Sequence, residues 1–124
     1  MDERKEALRR RTKAFASAVV RFYISLDKSR EEVRILGKQL LRSGTSVAAN
    51  YREASRARSE AEFVSKIDQC AQEADESQFW LELLLDDCGV PTAKVQPVWK
   101  EANELIAIFV TMSKNTKSRL NCES

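Results

Sequence analysis

The chain has 124 residues, enough for one domain with a single core, and is 43% hydrophobic and 32% charged. It contains no histidine, which removes Ser/His, Cys/His and Glu-x-x-His sites, most zinc sites and the commonest general base near neutrality. Its apolar runs are too short to span a membrane, and the N-terminal "MDERKEALRRR" lacks the apolar stretch of a secretory signal, so a cytoplasmic protein is expected.

Three glycines and two prolines leave few places for turns, so few and long elements are expected. The first segment sets Leu8, Thr12, Phe15, Val19, Phe22 and Leu26 at alternating steps of four and three, the spacing of one helix face. "LDKSREE" then breaks the pattern, with Ser29 as the expected N-cap and Glu32 three residues on at capping-box spacing.

The second segment contains "RSGTS", which on its face reads as a turn or a small phosphate loop. Its seam argues otherwise: Val33, Gly37, Leu40, Gly44, Val47, Tyr51 and Ala54 keep alternating steps of four and three straight through it. A loop has no reason to hold that register. Gly37 and Gly44 are therefore placed on the inward face of one continuous helix. Each costs about 1 kcal/mol against alanine there, a cost that close approach by a large neighbouring side chain would offset.

The third segment opens after Ser59, with Glu62 three residues later, and runs through Phe63, Ile67, Cys70, Ala74, Ser77, Leu81, Leu84 and Cys88 to Gly89. "GVPTAKVQP" is read as a loop. The last segment carries Val98, Ala102, Leu105, Phe109, Met112 and Thr116 before a polar tail. The expectation is one all-α domain over 1–124, with helices at roughly 4–26, 30–57, 60–88 and 95–117 and a polar tail at 118–124. Short connections make it an antiparallel up-down-up-down four-helix bundle.

Cys70, Cys88 and Cys122 have no metal-ligand spacing and are read as reduced and buried. Cys70 and Cys88 would lie about 27 Å apart along one helix, too far for a disulfide. No Walker A or dinucleotide glycine pattern occurs, and Asp75, Glu82 and Asp86 fall on an outer helix face. No enzymatic activity, cofactor, metal or small-molecule substrate is expected.

Charge becomes informative once it is divided. Residues 1–58 hold 15 Lys/Arg and 7 Asp/Glu, whereas residues 59–124 hold 6 and 12. At about 100° per residue, Arg30, Arg34, Lys38, Arg42, Arg52 and Arg56 share an arc of about 120° on the second helix, away from its seam. Thr45 and Ala49 lie low in the middle of this ridge, and Glu31 is its one acid. So one-signed a ridge fits a polyanion, and without interleaved aromatics any nucleic-acid binding would be phosphate-dominated. On the third helix Phe79, Trp80 and Leu83 point away from the seam, which suggests a subunit interface.

The stretches "GKQLLRSGTSVAANYREA" (37–54) and "FVSKIDQCAQEADESQFWLELL" (63–84) resemble the four-helix-bundle proteins encoded in intervening sequences of bacterial 23S ribosomal RNA genes. The same family includes the accessory variability determinants of diversity-generating retroelements. The most specific matches are Arg42-Ser43-Gly44-Thr45-Ser46, Asn50 with Glu53-Ala54, and Glu76 followed by Trp80-Leu81. The resemblance implies a homopentameric barrel and, for retroelement members, contact with a reverse transcriptase and nucleic acid. The leading expectation is a non-enzymatic homo-oligomeric scaffold touching RNA, DNA or such a partner through the ridge. The competing one is a structural or protein-interaction module without nucleic-acid affinity.

Overall fold

The computed structural model describes residues 2–123 and contains four helices: α1 (Glu3–Ile24), α2 (Glu31–Ala54), α3 (Glu60–Asp86) and α4 (Thr92–Glu123). Among the described residues there is no strand, and the fold is an all-α four-helix bundle. Four helices are present, the number that periodicity predicts, and α2 runs unbroken through "RSGTS".

All seam residues of α1 and α2 are buried, and Val19, Leu40, Val47 and Tyr51 are wholly inaccessible. Gly37 and Gly44 sit where helices approach closely. A methyl group on Gly44 would lie 2.7 Å from Val19 Cγ2, and one on Gly37 would lie 2.9 Å from Leu26 Cδ1. These contacts fix the antiparallel register of α1 on α2. Between α2 and α3 the register is set by the buried Ser43–Ser77 hydroxyl pair at 2.9 Å and by the Cys70 thiol donating to the Val47 carbonyl at 3.6 Å. Tyr51 and Phe109 fill the centre, their ring centroids 6.3 Å apart. α1 and α4 touch far less than any other neighbouring pair, so the bundle is loosest along that edge.

Helix ends follow their caps. Ser59 accepts from the Glu62 amide at 3.1 Å, while the Glu62 carboxylate accepts from the Arg58 amide. Lys28 closes α1 by donating to the carbonyls of Tyr23, Ile24 and Leu26. Gly89 takes φ +73°, and Val90 beyond it donates to the Leu84 carbonyl.

Several expectations need correction. Ser29 does not cap α2. Asp27 captures both its hydroxyl (2.6 Å) and its amide (3.1 Å), so Arg30 occupies the cap position without a side-chain bond. The "GVPTAKVQP" loop shrinks, because Pro91 supplies the carbonyl that starts α4 and Val95 and Val98 bury early in it. Pro97 is accommodated inside that helix; the amide it lacks would have bonded Ala93, an exposed residue. At the other end α4 continues past 117, held to α3 by Arg119 on Glu60 at 2.8 Å. On the seams, Val64 is buried where Phe63 is only half-buried. Ser113 is likewise buried beside a half-buried Met112, its hydroxyl donating to Asp68 at 2.6 Å. Cys70 and Cys88 are buried free thiols, but Cys122 is exposed on the last turn of α4.

Candidate nucleic-acid interface

The basic ridge is built on α2 because that helix turns its seam toward its neighbours and leaves one broad face outside. The structure divides the six ridge residues into three kinds. Arg30 and Arg56 lie just beyond the two ends of the helix, Arg30 in extended backbone and Arg56 in the turn after Ser55. Arg30 donates to the Cys88 carbonyl at 2.8 Å and pairs with Glu32 at 3.0 Å. Arg34 pairs with Glu31 at 2.9 Å. The N-terminal end of the ridge is thereby locally neutralised.

Arg42 faces sideways rather than outward. It bridges to α3, 3.2 Å from Glu76 and 3.6 Å from Glu73. Burial, then the neighbouring Glu76, raises the Glu73 carboxyl above the usual carboxylate range, against the pull of Arg42. Arg42 therefore balances a crowded acidic pair and is committed to the α2–α3 joint. Lys38, Arg52 and Arg56 remain exposed, with no acidic partner among the described residues. The register of Gly44 on Val19 brings the N-terminal third of α1 beside the C-terminal third of α2. Arg9 and Lys13, likewise without an ion pair among the described residues, stand at the height of Arg52 and Arg56. Thr45 is partly buried, its hydroxyl turned back onto the Leu41 carbonyl at 2.8 Å, so it leaves the middle of the ridge low.

The oppositely charged halves of the chain meet within the protomer at several joints. Arg11 of α1 is held by Glu101 (2.8 Å) and Glu104 (3.1 Å) of α4, and these carboxylates make its guanidinium hold its proton more firmly still. Lys66 pairs with Glu53 at 3.0 Å. Half-exposed pairs of this kind are worth little individually, but they use up acids and bases that the sequence alone leaves free.

On α3, Phe79 is 50% exposed and Leu83 is half-buried. Trp80 is less exposed than expected. Its ring lies against the core and 5.1 Å from Phe79, with a buried indole Nε1 that has no hydrogen-bond partner among the described residues. The register of Ser43 on Ser77 sets Ile35, 47% exposed, at the height of Leu83. Sequence reasoning misses Ile35 because it is a lone apolar position off the α2 seam; the antiparallel pairing with α3 is the signal that gives it company. Among the described residues no group of His, Cys, Asp and Glu is arranged to hold a metal ion. No helix among them is long and apolar enough to cross a membrane.

A family model described as 23S rRNA-intervening sequence protein matches residues 5–117, nearly the whole chain. The chain belongs to that family. Among solved structures it is similar to a protein of unknown function from the S23 ribosomal protein family of Bacteroides thetaiotaomicron. The two share 30% identity, with a TM-score of 0.79 over 86% of this chain and 97% of the other. No curated protein matches the chain. Membership of the 23S rRNA-intervening sequence family accounts for the bundle and brings no assigned activity with it, since that structural neighbour is itself of unknown function.

Proposed function

We propose that this protein is a non-enzymatic, homo-oligomeric scaffold that contacts the backbone of RNA or DNA through exposed cations on α2 and α1. The observation that carries this reading is the set of Lys38, Arg52 and Arg56, exposed and without acidic partners among the described residues, with Arg9 and Lys13 at the same height. Elsewhere in the bundle many of the cations are tied to acids, as Arg11, Arg42, Lys66 and Arg119 are. A cluster left unneutralised in so acid-rich a chain suits a polyanion. A reverse transcriptase working on such a nucleic acid is the partner that the resemblance to retroelement accessories would add.

The test is fluorescence anisotropy with mixed-sequence RNA and DNA oligonucleotides at about 50 and about 200 mM salt, where counterion release demands a steep loss of affinity. Replacing Arg34, Lys38, Arg52 and Arg56 with Gln is expected to weaken binding to every sequence. The log–log salt slope should fall by about 0.9 for each duplex phosphate that the variant no longer neutralises. Arg42→Gln is expected to leave binding intact, because that side chain serves the α2–α3 joint. If the fourfold variant binds as wild type does at low salt, the ridge is not the site. If wild type itself fails to bind, the nucleic-acid reading falls and the protein is an interaction module only.

A further inference from the structure

The loose edge between α1 and α4 holds a cleft of about 620 Å³, within the size range of small-molecule sites. It lies where the N-terminal turns of α1 face the C-terminal half of α4, well removed from the apolar patch on α3. Its wall is apolar: Leu8, Tyr51, Phe63, Ile108 and Met112. Met112 is half-buried and conformationally adaptable, the side chain best suited to shape itself around a guest.

Tyr51 makes this more than an imperfection of packing. The residue is 0% exposed, and its hydroxyl has no hydrogen-bond partner among the described groups. A nearby hydroxyl is already engaged: Thr116, also on the wall, donates to the Met112 carbonyl at 2.9 Å. Asp2 lines the same cleft and, after burial and Cys70, contributes to holding the Tyr51 phenol at about 12. Tyr51 itself is one of the residues that line the cleft. A phenylalanine would fill this part of the core without stranding a donor, so the hydroxyl calls for an acceptor that the protein does not supply.

The rim is cationic. Arg11 and Arg119 are occupied by Glu101, Glu104 and Glu60, whereas the side chains of Arg4 and Lys5 have no acidic partner among the described residues. We propose that the α1–α4 cleft binds a small ring-containing carboxylate. Its apolar body lies between Phe63, Ile108 and Met112, a ring heteroatom or carbonyl accepts from Tyr51, and the carboxylate sits at Arg4 and Lys5. A plain alkyl carboxylate would leave the phenol unpaired. The site stands independently of the nucleic-acid reading, since none of its residues belongs to the α2 ridge.

Matched probes test it: the isomeric quinoline carboxylates against naphthalene-2-carboxylate, which has the same shape and charge but no ring acceptor. Binding is measured by titration calorimetry and ligand-observed NMR on the full chain. Wild type is expected to bind at submillimolar concentration and to prefer at least one quinoline isomer by about five- to tenfold, the value of one net hydrogen bond. Tyr51→Phe should erase that preference while naphthoate affinity holds. Replacing Arg4 and Lys5 with Gln should weaken both ligands alike and flatten their salt dependence. Met112→Trp should block the cleft; if that variant does not fold, the Tyr51→Phe comparison still decides. Absence of saturable binding across the panel, a quinoline preference that survives Tyr51→Phe, or a folded Met112→Trp that binds normally each overturns the proposal.

Discussion

A methyl group at position 44 would meet Val19 at 2.7, 2.8 and 3.0 Å, on the branched and stiff part of that side chain. Gly44→Ala gains about 1 kcal/mol in helix propensity, but overpacking of this kind costs about 1–3 kcal/mol. The expected net result in urea denaturation is a loss of up to about 2 kcal/mol. Val19→Ala in the same chain should recover part of it, giving a coupling of at least about 0.5 kcal/mol in a double-mutant cycle. Gly37→Ala should cost less, since its nearest neighbour is the flexible end of Leu26. Equal losses at both positions would mean that the approach of α1 at Gly44 is not tight. Cys70 offers a second residue-scale test. Burial pushes its thiol up to about 12, from an ordinary 9.0. A raised folded value means that its stability contribution is whole below about pH 9 and is lost as pH climbs toward 12. Across that window the unfolded chain has released a proton that the folded chain keeps. Stability should therefore fall by up to about 1.4 kcal/mol per pH unit from this group alone. Cys70→Ala should flatten that alkaline limb by one proton, and an unchanged slope would show that the thiol titrates normally.

Helices are legible in the sequence because a buried face must repeat at helical spacing, and a seam broken by no slip cannot hide a loop. That spacing places Gly44 inside α2 and the apolar core residues of α1 and α2 inside the bundle, but it misses the buried Ser43. Periodicity fails at the ends, where single hydrogen bonds decide between neighbours. Ser29 and Ser59 carry the same local signature, a glutamate three residues on, yet only Ser59 caps a helix. Asp27, two residues ahead of Ser29, outcompetes the α2 amides for its hydroxyl. The two serines therefore separate by experiment. Ser59→Ala should lower stability by about 1 kcal/mol, the usual value of an N-cap, and Ser29→Ala by less than about half of that. Thermal or chemical denaturation of the pair decides it, and the reverse order would restore the capping box at Ser29. The ridge is legible in part for a related reason. Helical angles give the direction of Arg34, Lys38 and Arg52. No angle could reveal that Arg42 would find Glu73 and Glu76 across a joint, the latter 34 residues away in sequence.

At the scale of the whole molecule, one face of the bundle is finished and another is not. Along the α2–α3 groove, Ile35 and Phe79 stand about half exposed, Leu83 is half-buried without joining the core, and Trp80 keeps a buried indole N–H with no acceptor among the described residues. In the homo-oligomer proposed above, this apolar surface is the face that a second copy of the chain would cover. The charge asymmetry favours the same partner, although joints such as Arg11–Glu101 and Arg42–Glu76 already consume part of it inside each protomer. For the homo-oligomer proposed above, replacing Phe79 and Leu83 together with Asp is expected to give monomers in sedimentation velocity. It should leave helical content and cooperative melting in place, because neither residue belongs to the buried core. Oligonucleotide affinity per chain should survive while any avidity gained from assembly is lost. A double variant that sediments as wild type does would remove this face as the interface and leave the indole donor of Trp80 to be explained within one protomer.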